Sequence, residues 1–75
     1  MRSRPILKKL GAEIQERRLA RKLSQLKLAE AAGVNINTIQ RLENGRTDSQ
    51  IVTLFDVALA LKMPLSELIV GAEGR

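Results

Sequence analysis

Asn37, Gln40, Arg41 and Asn44 fall at intervals of three, one and three, the spacing of one face of a helix. Their chemistry is hydrogen bonding: an amide donates and accepts in one plane, and a guanidinium presents a rigid fork of donors. Nothing in the set suits nucleophilic or acid–base catalysis. The chain has no Cys, His or Tyr and no phosphate-loop glycine pattern, and no carboxylate pair shares a face. These absences point away from an enzyme, and no catalytic residue or cofactor is expected. Carboxylates alone remain as metal ligands, so no metal site is expected either.

The elements that must position this face lie in Gln25–Asn44, QLKLAEAAGVNINTIQRLEN. Two short helices read out on either side of Gly33. The first has an apolar side at Leu28, Ala29 and Ala32, and the second at Ile39 and Leu42. Gly33 suits a left-handed end to the first helix, and Ala29 and Gly33 are small enough for two crossing helices to approach closely. Asn35 is a good cap for the second helix, since its side-chain oxygen accepts an orphan backbone N–H. The outward face of that second helix is then Ile36, Asn37, Gln40, Arg41 and Asn44.

The rest of the chain supplies the body. Residues 1–5 read as a basic arm, and a helix is expected from about Ile6 to Lys22 with Leu7, Leu10 and Ile14 inward. Four residues past Ile14 stands Arg18, and four past Ile39 stands Glu43, so each apolar stripe runs into a charge. A lone buried charge costs several kcal/mol; an Arg18–Glu43 ion pair is therefore expected between the first and third helices. Glu13 and Glu16 fall on the first helix's polar side. Ser24 caps the second helix, on which Leu26 faces outward. Asn44-Gly45 is a stop-and-turn signal and Arg46 to Ser49 a polar loop. In the fourth helix Ile51, Leu54, Phe55, Ala58 and Leu61 form the expected inward face, with Phe55 as the largest core residue. Pro64 opens a fifth helix with Leu65, Leu68 and Ile69 inward, and residues 71–75 read as a frayed tail. The five glycines are read as turn residues. One all-α domain over residues 6–70 is the expectation.

Seventy-five residues with 44% hydrophobic side chains and a single aromatic suit a small core of Leu, Ile, Val and Ala. No apolar run is long enough to span a bilayer, and no secretory leader is evident. Without cysteine, a cytoplasmic location is the expectation. The net charge of +5 is unevenly placed: residues 1–27 hold nine Lys/Arg against two Glu, and residues 28–75 hold four against six acids. A basic end on a small domain suggests a polyanionic partner, either nucleic acid or an acidic membrane surface. Glu13 and Glu16 on the polar side of the first helix speak against the membrane.

The stretch LSQLKLAEAAGVNINTIQRLENGRT resembles the helix-turn-helix core of the phage repressor and Cro-like (XRE-type) DNA-binding proteins. TLFDVALALKMPLSEL resembles their fourth and fifth helices. The likeness implies a compact five-helix lambda-repressor-like fold and a transcriptional regulator that binds double-stranded DNA. Helices 2 and 3 would form the motif, with the recognition helix, about 35–44, in the major groove. Asn37 has the fork for an adenine edge, Arg41 for a guanine, and Ile36 suits a thymine methyl. Gln25, at a helix N-terminus that favours anions, would hold a phosphate with Ser24, while Thr38, Asn44 and Arg46 would hold others. Asn35 and Gln40 complete the expected DNA-facing set. Relatives mostly bind as homodimers on palindromic operators, and Pro64, Leu65, Leu68 and Ile69 are the expected self-contact. Lys62 stands where a glycine is usual, Ser49 where a proline is common, and Ile36 where many relatives are polar. The alternative, from a different class, is an antitoxin that binds a toxin partner and its own promoter.

Overall fold

Five helices follow one another in the computed structural model, which describes residues 3–46 and 50–75: α1 (Ser3–Ala20), α2 (Gln25–Ala32), α3 (Ile36–Glu43), α4 (Ile51–Ala60) and α5 (Leu65–Glu73). Among the described residues there is no strand. Helix α1 lies against α3 and α5, α2 against α3 and α4, and α4 against α5. Their shared core is aliphatic, with Ile14, Leu28, Ile39, Val57 and Leu68 fully buried. Each such side chain contributes about 1.5–3 kcal/mol through burial.

Helix ends repeat one device. After α2, Gly33 takes φ +72°, so that Gly33 N–H donates to Glu30 O and Val34 N–H to Ala29 O. This paired closure satisfies carbonyls that the last turn would leave open. The same two bonds close α1 around Lys22 (φ 59°), α3 around Gly45 (φ 66°) and α4 around Lys62 (φ 62°). At the two lysines a Cβ is tolerated in the left-handed region, at a cost of roughly 1–2 kcal/mol each.

Several sequence expectations give way here. Helix α1 starts at Ser3, inside the expected basic arm 1–5, and stops at Ala20 rather than Lys22. Residues 1–2 and 47–49 lie outside the described residues, and with them Met1 and Arg2 of the arm and most of the Arg46–Ser49 loop, including Ser49. Phe55 is not a core residue: it is 52% exposed, and Ile51 is exposed too. The buried stripe of α4 is Leu54, Val57 and Ala58, continued by Leu61. Small Val57 and Ala58 on the inner side let α2, with Ala29 and Ala32, come close, which a phenyl ring there would prevent.

Nor do all the glycines serve turns. Gly11 sits in the middle of α1, where a Cβ would lie 2.6 Å from the Glu43 carbonyl oxygen. The backbones of α1 and α3 meet at this point, and nothing larger than hydrogen fits between them. Gly33, expected also to permit close packing, has open space where its Cβ would be; its left-handed φ is what it contributes.

Residues 71–75 are not a frayed tail. Helix α5 continues to Glu73, Ala72 is buried, and Arg75 Nε donates to Glu13 Oε1 at 3.0 Å. Arg75 also pairs with Glu16. Glu13 is buried rather than solvated, and its other oxygen accepts from Arg17 Nε at 2.8 Å. A Cβ at Gly71 would lie 2.5 Å from Glu13 Cδ, so the glycine makes room for the carboxylate. The Arg17 hydrogen bond holds the Glu13 carboxyl below its ordinary pKa; burial opposes this, and Arg75 adds to the lowering.

Candidate nucleic-acid interface

The candidate surface is built on α3, whose inner side is fixed by Ile39 and Leu42, both buried. With those two directed inward, the helix period places Asn37, Gln40 and Arg41 outward, and all three are exposed, as is Asn44 at the C-terminal cap. Ile36 departs from this set. It is half-buried and packs against the core cluster, so it lies at the edge of the face rather than on it. Thr38 is likewise half-buried.

Asn35 begins the helix: its Oδ1 accepts the Asn37 N–H at 2.8 Å. That oxygen is therefore taken up in the cap, and the amide NH2 remains to face a ligand. Ser24 does the same for α2, its Oγ accepting from Lys27 N–H at 3.0 Å. The first intrahelical bond of α2 is Leu28 N–H to Ser24 O, so the N–H groups of Gln25 and Leu26 precede the ladder and point out of the helix end.

Behind this surface a single carboxylate gathers three segments. Glu43, its side chain 2% exposed, accepts from Arg18 Nε at 2.6 Å on one oxygen. The other oxygen accepts from an Arg18 terminal nitrogen at 3.1 Å and from Gln25 Nε2 at 3.0 Å. Arg18 also donates to Leu23 O at 2.8 Å. The end of α1, the α1–α2 connection, the first residue of α2 and the last of α3 are thus tied together. Sequence reasoning placed Gln25 at a phosphate and missed its bond to Glu43. The only trace was that Gln25 starts the helix packed beside α3.

A second surface lies on the opposite side of the chain's order. Pro64 is exposed, and Leu65 and Ile69 are half-buried; with Phe55, Ser66 and Val70 they line a shallow apolar hollow. Leu68 is not among them. It is wholly buried in the core and is removed from the expected self-contact set.

The comparisons with known proteins bear on what these surfaces are for. The helix-turn-helix family model matches residues 14–68, most of the chain. The chain belongs to the phage-repressor and Cro-type (XRE) helix-turn-helix family of DNA-binding transcription regulators. It is 34% identical over 61 residues to the ImmF control region 10 kDa protein of Bacillus phage phi105, covering 81% of this chain and 68% of that one. It is 38% identical over 56 residues to an uncharacterized transcriptional regulator in the ATPase CF(0) region of Rhodospirillum rubrum. That match takes in 75% of this chain but about half, 52%, of the relative. Among solved structures, the restriction-modification controller protein C.AhdI from Aeromonas hydrophila superposes with a TM-score of 0.81 at 32% identity, covering 83% of this chain and 94% of that one. Of these three, one is named a transcriptional regulator and another a controller protein. Among the described residues no helix is long and apolar enough to cross a membrane, and no cluster of three potential metal-ligating side chains forms.

Proposed function

We propose that this protein is a sequence-specific regulator that binds duplex DNA as a homodimer on a palindromic operator, with α3 in the major groove. One observation carries the reading: α3 is anchored inward by Ile39 and Leu42 while Asn37, Gln40, Arg41 and Asn44 stand exposed on its other side. Asn37 and Arg41 read base edges, each good bidentate contact supplying about 1–3 kcal/mol of discrimination. Ile36 meets a thymine methyl from the edge of the face. The N-terminus of α2, with Ser24 and Gln25, receives one phosphate, and Thr38, Asn44, Arg46 and the Asn35 amide hold the backbone on either side. The cytoplasm, where the DNA is, is the fitting compartment.

The second copy docks on the hollow formed by Phe55, Pro64, Leu65, Ile69 and Val70, and two recognition helices then fall on successive turns of the duplex. Sedimentation that found only monomer, free and on DNA, would remove the dimer. The antitoxin alternative is favoured by no observation.

Selection of bound sites from a random duplex pool tests the whole reading, since it returns motif, symmetry and spacing together. On the selected site, Arg41→Ala is expected to relax one base position. Gln25→Ala is expected to weaken all sequences alike. A pool that enriched for no motif would overturn sequence specificity.

A further inference from the structure

Gly45 lies against α1. A Cβ there would be 2.8 Å from both Cα and Cγ of Lys8, so the lysine stem passes directly over the turn that ends α3. Gly45 has φ +66°, and its missing side chain leaves the space that the Lys8 stem occupies. Lys8 is itself exposed, which carries its ammonium outward from this turn into solvent. Two more cations border the same place. Arg41 is on the last turn of α3, and Arg46 is held beside it by a backbone bond from Arg46 N–H to Arg41 O at 2.9 Å. Residues 1–12 contain no carboxylate, and residues 33–46 contain Glu43 alone, which is buried and committed to Arg18 and Gln25. Among the described residues, the rim where α1 crosses the end of the recognition helix therefore carries Lys8, Arg41 and Arg46, with Glu43 turned inward.

We infer that Lys8 forms, with Asn44 and Arg46, a DNA-phosphate site on α1 that lengthens the backbone track beyond the helix-turn-helix itself. This rests on the duplex-binding reading above. In that docking, α3 lies in the groove, and a phosphate leaving its C-terminal end passes the turn at Gly45 and comes to the Lys8 ammonium. The contact is to backbone alone, so it adds affinity without adding sequence preference.

The salt dependence of binding counts such contacts. Measured on a mixed-sequence duplex of about 20 base pairs, Lys8→Gln is expected to reduce the magnitude of the log–log salt slope by about one and to weaken binding about three- to tenfold near 0.1 M salt. The loss should be the same on a selected operator. Lys62→Gln makes the same charge change at the α4–α5 turn, beside Arg17 and Arg21 at the other end of α1, and is expected to leave the slope unchanged. Thermal unfolding of both variants confirms that the fold is retained. A slope unchanged in Lys8→Gln while the wild type still binds overturns the Lys8 site and leaves the regulator reading standing. Equal losses in the two variants also overturn it, since net charge alone then explains the effect. A wild type that binds no duplex at any salt brings down the regulator reading itself.

Discussion

The two ends of the chain solve the problem of a small core in opposite ways. In the α1–α2–α3 part, an aliphatic core is supplemented by charge: Arg18, Glu43 and Gln25 form a buried hydrogen-bonded cluster. The outward face of α3 is amide and guanidinium, although Leu19 and Leu26 are exposed on α1 and α2. In the α4–α5 part, the two helices meet each other through aliphatic residues, and the polar clamp of Glu13 and Arg75 lies at the α1 side. The outward surface there is apolar, with Val52, Phe55, Leu59 and Val70 each more than half exposed. The buried polar cluster fixes how α3 sits against α1, because directional bonds permit few arrangements. An exposed apolar surface suits contact with a partner. On the proposed reading, one part serves orientation and the other contact.

The largest expected effect comes from breaking the polar cluster. Glu43→Ala leaves the Arg18 guanidinium buried without its carboxylate, with only Leu23 O as acceptor, which costs about 3–5 kcal/mol. A domain of this size has total stability at the low end of the usual ~5–15 kcal/mol range, so the variant should retain only about 0–2 kcal/mol and unfold at low urea. Circular dichroism and urea titration check this. A folded variant of near wild-type stability would mean that the cluster does not hold α1 to α3.

Acid provides a graded version of the same test, through the clamp between α1 and α5. Because the folded pKa of Glu13 is depressed, its contribution is fully present above the unfolded value near 4.5 and is lost as pH falls through the lower folded value. Wild type should therefore lose stability below pH 4.5 more steeply than Arg17→Ala, in which the chief cause of the lowering is gone. Parallel pH curves for the two proteins would count against this assignment.

The smallest effect on the fold, and the sharpest contrast, belongs to Phe55→Ser. At 52% exposure the ring adds little to the monomer, and the change in unfolding free energy should stay within about 0.5 kcal/mol. Self-association should nevertheless weaken by at least tenfold in sedimentation equilibrium, about 1.4 kcal/mol. Loss of monomer stability comparable to that of a core residue would show that the α4–α5 surface is folded in rather than offered outward.

The same contrast explains what could be read from the letters. In α3 the apolar positions Ile39 and Leu42 form one stripe, and Ser24 and Asn35 mark the starts of α2 and α3. In α4, IVTLFDVALA, apolar residues surround the axis, and the sets 51, 54, 55, 58 and 54, 57, 58, 61 are equally helical. Spacing alone cannot choose between them, and size pointed to Phe55. What decides is the close approach of α2, a tertiary fact. Glu13 was hidden for a related reason. Beside Arg17 at i,i+4 it has the pattern of a solvated pair, and the partners that bury it, Gly71 and Arg75, lie about sixty residues away.

The half-buried placement of Ile36 limits how such a reading head could be retargeted. Asn37, Gln40, Arg41 and Asn44 can be exchanged as a cassette without disturbing the aliphatic interior. Ile36 cannot join that cassette freely, because its side chain also seals the base of the helix. A library aimed at new operators gains most by randomising the four exposed positions and leaving the isoleucine as a hinge pin.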